Sequence, residues 1–273
     1  MNFSDIQFAF NRALSLTFCK KKWLLVFAVL ALCGLLVVFF RGLAIHAGQW
    51  LLLSLTFLPF FLCAGVLLSM GIMLIRIYHD EIKGREVNYG HILGKSWEVM
   101  VGASYLTIPI ILSYLLLWIL LGMFVLLLNA PLVGDFFGVV LAFGPFLLNL
   151  GTLVLGLLCL AMLFFVTPIV ALKGLSRVRV TQTLAERMKF DVFSNIILAF
   201  FAILPLVSVS LLLVLAAYLT GTLCQSCSDP FHNVLQWFFI MIPFTALLTP
   251  AVVFFFNFAA EAHVLAKQER EKT

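Results

Sequence analysis

Long apolar runs separated by short polar or basic segments dominate this sequence. A helix needs about 20 predominantly apolar residues to cross the hydrocarbon core of a bilayer. Runs of that length lie at Trp23 to Phe40, Leu51 to Ile75, within Val99 to Leu128 from near Ser104, Ile196 to Thr220, and Val234 to Phe256. No water reaches the backbone at that depth, and a helix bonds its own N–H and C=O groups. Each run therefore predicts a transmembrane helix. The alternation of apolar and polar positions that marks a membrane barrel strand is missing.

The run from Phe136 to Leu172 carries no charge. As one straight helix at 1.5 Å per residue it exceeds about 50 Å, against a hydrocarbon core of about 30 Å. It is either two spans, or one span that is long and tilted or preceded by a re-entrant piece near Gly144 and Pro145. The distribution of positive charge decides between one crossing and two. Lys and Arg gather before the first span (Arg12, Lys20, Lys21, Lys22), after the second (Arg76, Lys83, Arg85, Lys95), after the fourth (Lys173, Arg177, Arg179, Arg187, Lys189) and at the end (Lys267, Arg270, Lys272). With a single crossing, sixteen of the seventeen fall on one side, leaving Arg41 alone on the other. Basic loops face the cytoplasm. The expectation is thus six spans with both termini cytoplasmic, in a bacterial inner membrane.

Composition excludes the alternative of a water-soluble domain: 64% of residues are hydrophobic and 11% charged, where soluble domains carry about 25% charge. The predicted class is all-α and polytopic. It comprises a cytoplasmic amphipathic segment over 1–22, a membrane domain over 23–262 and a cytoplasmic tail over 263–273. A cleaved signal peptide is the rival for the N-terminus, but the apolar run exceeds the usual 7 to 15 residues and no A-x-A site follows it.

Short amphipathic segments precede alternate spans. Ile6, Phe10 and Leu14 form one stripe before the first; Asn88 is positioned to cap a helix carrying Tyr89, Ile92, Leu93, Ser96 and Trp97 before the third; and AERMKFDV leads into the fifth. Two accounts are open: a threefold repeat of interfacial helix, span, turn and span, of the kind that builds transporters, or the look of any even-spanned protein with basic inner loops.

The Phe165-x-x-Pro168 span end, the connector with Gly174 and Ser176, and the Ala185 helix carry a resemblance, with an echo at Gly84 and Ser96. The pattern resembles six-span bacterial membrane proteins grouped with the membrane domain of glycerophosphodiester phosphodiesterases. That resemblance implies a membrane domain sometimes fused to a soluble hydrolase; the sequence shows no such domain, and the resemblance supplies no catalytic residue.

Candidate chemistry is sparse. Neither a phosphate-cradling G-x-x-x-x-G-K-[ST] nor an H-E-x-x-H is present, so no enzyme and no cofactor is expected. Cys224 and Cys227 form a C-x-x-C in the loop after the fifth span, and a disulfide closing that loop is the expected reading; free thiols and thiol exchange are the alternatives. Asp229 and His232 extend the motif towards a metal site, but Pro230 and the tight loop disfavour the geometry, and no metal is expected. Charged residues at the bilayer centre mark ion or substrate paths, and the spans have none there. Glu98 and Glu261 fall near the basic boundary, where solvent, Lys95 or His263 serve as partners. Asn149, Thr152 and Asn257 are the deepest polar groups, expected to bond between helices. Arg177, Arg179, Arg187 and Lys189 are candidates for contact with lipid headgroups or a partner. The function expected is that of a non-enzymatic organising or accessory membrane component, whose partners are membrane lipids or another membrane protein and not nucleic acid. The alternative is a transporter or lipid-handling protein for an apolar or amphiphilic substrate.

Overall fold

The structure is a computed structural model describing residues 3–45, 49–85, 89–128, 143–174, 177–190, 192–220 and 230–272, helical nearly throughout. In chain order the helices are α1 (Phe3–Ser15), α2 (Lys20–Leu43), α3 (Gln49–Ile82), α4 (Tyr89–Ser104), α5 (Ile108–Leu128), α6 (Phe143–Lys173), α7 (Arg177–Phe190), α8 (Val192–Leu219) and α9 (Pro230–Lys272). Six helical stretches are long and apolar enough to cross a membrane; they lie in α2, α3, the α4–α5 pair, α6, α8 and α9. The protein is an all-α, multi-pass membrane protein. Asn88 and the segment 129–142 lie outside the described residues, so the cap expected at Asn88 and the piece before Phe143 do too. From Phe143 onward the long uncharged run is a single helix, α6.

Several helix ends differ from the hydropathy bounds, each for a local reason. Glycine stops α3 and α6: Gly84 and Gly174 have φ of +65° and +82°, a left-handed conformation that ends helices and disfavours side chains with a Cβ. At Gly174 the N–H also returns to the Val170 carbonyl at 3.0 Å. α4 passes into α5 through a 3₁₀ turn at Tyr105–Thr107. Pro109 lacks an N–H and its ring would crowd the carbonyl four residues earlier, so the regular helix breaks in the turn before it. Arg41, just beyond the expected end of the first span at Phe40, lies in the last turn of α2, where a cation suits the helix C-terminus. Its guanidinium sits 4.4 Å from the Trp237 ring centre. After the sixth span α9 runs on unbroken to Lys272, so residues 263–272 continue the same helix.

Burial separates the spans into two classes. The stretches in α3, α6 and α9 are 67%, 50% and 39% buried, whereas those in α2, α4–α5 and α8 are 17%, 17% and 11% buried. The three inner helices α3, α6 and α9 touch one another. Each outer helix rests against two of them: α2 on α3 and α9, α5 on α6 and α3, α8 on α9 and, more lightly, α6. The short helices follow the same rotation, with α1 packed on α9, α4 on α3 and α7 on α6. The chain is thus arranged as three units of short helix, outer span and inner span around a common axis.

Side chains fill the contacts between the inner helices. Phe164 of α6 meets Phe255 of α9 with ring centres 6.0 Å apart, and a Cβ at Gly71 of α3 would overlap the Phe256 ring. Phe164, Ile72, Ile75, Ile169, Phe255 and Phe256 are all at most 3% exposed. Lipid tails are as apolar as these side chains, so close packing, made accessible by small residues, supplies the association.

Candidate functional site

Covalent connectors join the first unit to the second and the second to the third, but none joins the third back to the first. That seam, where α1 and α2 meet α9, holds a polar network at the basic end of the bundle. Its local origin is the length of two inner helices. α3 continues seven residues past the Ile75 bound, and the extra turns carry Arg76, Tyr78 and Glu81; α9 continues past Phe256 with Asn257 and Glu261.

Lys22, in the first turn of α2, is fully buried. Its ammonium pairs with the Glu81 carboxylate, donates to the Leu16 carbonyl at 3.1 Å and lies 5.4 Å from the centre of the Tyr78 ring. The Tyr78 hydroxyl donates to Glu261 Oε1 at 2.7 Å, and Arg12 Nε of α1 approaches the same oxygen at 3.5 Å. Four helices are tied together: α1, α2, α3 and α9. Glu261, expected to meet solvent or His263, is instead 7% exposed and partnered by Tyr78 and Arg12. Transfer of these charges out of water is costly unless each is paired and hydrogen-bonded, and mutual pairing meets that condition.

The face that α1 buries is rotated from the stripe of Ile6, Phe10 and Leu14, with Ile6 and Phe10 still packed at its edge. Ala9 and Ala13 are buried against α9 while Leu14 is exposed; Phe10 flanks the contact with its ring centre 4.9 Å from that of Phe254. Alanine lets the α1 backbone come close enough for the Asn257 amide to reach the Ala13 carbonyl and Thr17 Oγ1, each at 3.5 Å. The seam continues along the membrane span. Gly34 of α2 faces Met241 and Thr245 of α9, and Gly42 faces Val234.

A second buried cation sits on α7. Arg187, expected at lipid headgroups or a partner, is 2% exposed. Its Nε donates to Asn195 Oδ1 at 2.8 Å, the Asn195 amide donates back to the Arg187 carbonyl at 2.8 Å, and the guanidinium lies 4.9 Å from the Phe165 ring centre. The preference of guanidinium for planar partners and aromatic faces accounts for its inward orientation. On α3, Arg76 donates to the Ala171 carbonyl of α6 at 3.0 Å. The side chains of Arg177, Arg179 and Lys189, together with Cys224, Cys227, Asp229 and the side chain of His232, lie outside the described residues. Sequence reasoning missed Lys22, Tyr78 and Glu81. The available signal was a carboxylate and a phenol within two turns of a basic span end.

Beside the seam, Ile6, Gln7 and Phe10 of α1 and Phe201 of α8 line an open apolar groove of about 260 Å³. Comparison with known protein families, curated proteins and solved structures finds no match to this chain.

Proposed function

We propose that the protein is a non-enzymatic organising or accessory component of its membrane, with the basic end of the bundle towards the cytoplasm of a bacterium and a further membrane component held against its flank. The observation that carries this reading is the packed axis. Phe164, Phe255 and Phe256, each at most 3% exposed, occupy the contacts among the inner helices, where a solute path through the bundle would run. The charged groups of the seam support it too, since they are engaged with one another in a fixed network. A second reading, lipid handling, draws on the groove between α1 and α8, whose volume suits part of an acyl chain.

Native mass spectrometry of the protein extracted with its surrounding lipid tests the choice. A second protein at fixed stoichiometry is the expected result. A retained lipid with no protein, lost when Arg177, Arg179 and Lys189 are all replaced by Gln, favours lipid handling. Solute uptake by proteoliposomes containing only the purified chain overturns the organising role.

A further inference from the structure

Away from the seam, α3, α5 and α6 line a partly open cavity of about 10 Å³, where Ser54, Tyr114, Trp118, Asn149 and Thr152 stand among apolar residues such as Phe57. A space of that size with polar groups in its lining holds one water-sized oxygen. The donors and acceptors around it are unevenly used. The Tyr114 hydroxyl donates to the Ser54 carbonyl, and the Thr152 hydroxyl donates to the Leu148 carbonyl at 3.1 Å. Both protons are thereby spent, leaving the two oxygens to act as acceptors. Tyr114 is 2% and Thr152 7% exposed. Trp118 presents the opposite case, because its indole Nε1–H is enclosed and has no acceptor among the described residues. A buried donor left unmatched is costly, and in a bilayer bulk water is not at hand to relieve it.

The complement of this lining is a group that accepts one hydrogen bond and donates another. An ester carbonyl accepts from Trp118 but has no proton for Tyr114 or Thr152. A hydroxyl oxygen does both.

We propose that this cavity is a hydroxyl-binding site within the membrane span, taking either a bound water or the free hydroxyl of a membrane amphiphile, with Trp118 Nε1 as donor and Tyr114 Oη or Thr152 Oγ1 as acceptor. Asn149, which also lines the cavity, carries an amide able to donate and to accept. The site is independent of the organising role and stands or falls separately from it.

The test is solution NMR of indole ¹⁵N-labelled protein in lipid nanodiscs, with Trp118 assigned by W118F and, independently, by W118Y. Three lipid compositions are compared: phosphatidylcholine alone, with diacylglycerol, and with triacylglycerol, which lacks a free hydroxyl. A hydrogen-bonded Trp118 indole shift in all three, with a cross-peak between the indole proton and water, supports the site with water as occupant; the same shift in all three without that cross-peak assigns the acceptor to a lipid ester carbonyl and overturns the proposal. The same shift only with diacylglycerol supports it with a lipid hydroxyl. A Trp118 indole with the shift and rapid proton exchange of an unbonded N–H in all three overturns the proposal. Because wild-type spectra supply the answer, poor folding of either variant affects assignment alone.

Discussion

Replacing Glu81 by Gln leaves Lys22 as a buried cation without its counter-charge, which makes this substitution the sharpest probe of the seam. Lys22 has no exposed surface, so solvent cannot replace the carboxylate without local opening. Removing one partner of a buried pair costs about 3–5 kcal/mol. The lower end, about 3 kcal/mol, applies here, because the Leu16 carbonyl still accepts from Lys22 and the Tyr78 ring face remains 5.4 Å away. Lys22→Met should cost less, about 1–2 kcal/mol, since the Glu81 side chain is 18% exposed and takes up water, as an unpaired polar group then pays only part of its desolvation cost. The double variant Lys22→Met with Glu81→Leu removes both charges and should return to within about 1 kcal/mol of wild type or exceed it, as replacement of buried ion pairs by apolar residues often does. Reversible unfolding by denaturant titration in mixed micelles, followed by far-ultraviolet circular dichroism, measures wild type and the three variants. A loss of 3 kcal/mol is more than a hundredfold in the unfolding constant. Glu81→Gln within about 0.5 kcal/mol of wild type, or a double variant as unstable as the worse single, would refute the argument that the pair is buried and mutually dependent.

Further outcomes follow from other contacts. Gly71→Ala should destabilise by about 1–3 kcal/mol through overpacking against Phe256, and Phe256→Leu in the same chain should recover most of it; the same denaturant titration reads both. Asn195→Ala removes both the acceptor of Arg187 Nε and the donor to the Arg187 carbonyl and should cost about 1.5–3 kcal/mol, with Asn195→Asp, which keeps the acceptor but not the donor, losing less; equal losses in the two variants would count against the Arg187 Nε bond. Gly42→Cys with Val234→Cys, positions where a Cβ at Gly42 would meet the Val234 side chain across α2 and α9, should form an intramolecular disulfide on mild oxidation, seen as a mobility shift reversed by reductant, and failure to cross-link would contradict the closed three-unit arrangement. Tyr78→Phe should cost about 1–3 kcal/mol by depriving Glu261 of a donor, and a neutral result in thermal unfolding would place the 2.7 Å contact outside the stabilising set.

The sequence by itself determined the class, the number of crossings and the alternation of short helix with paired spans. Those properties follow from local quantities: the length of an apolar run set against bilayer thickness, and the placement of Lys and Arg at run ends. Helix stops at Gly84 and Gly174 were local as well, since glycine tolerates the left-handed turn that other residues resist. Which spans lie inside was decided by tertiary structure alone. The stretch in α8 has a mean hydropathy of 2.8 and is 11% buried, whereas that in α3 has 2.4 and is 67% buried. In lipid, an outward-facing leucine and an inward-facing one satisfy the same requirement, so apolarity does not distinguish them. The seam was equally out of reach from sequence. Tyr78 and Glu261 stand 183 positions apart, and only the return of α9 to the first unit brings them together. Arg187 shows the limit most directly: on a basic amphipathic segment its charge suggests a headgroup contact, and the fold supplies Asn195 and Phe165 as partners first.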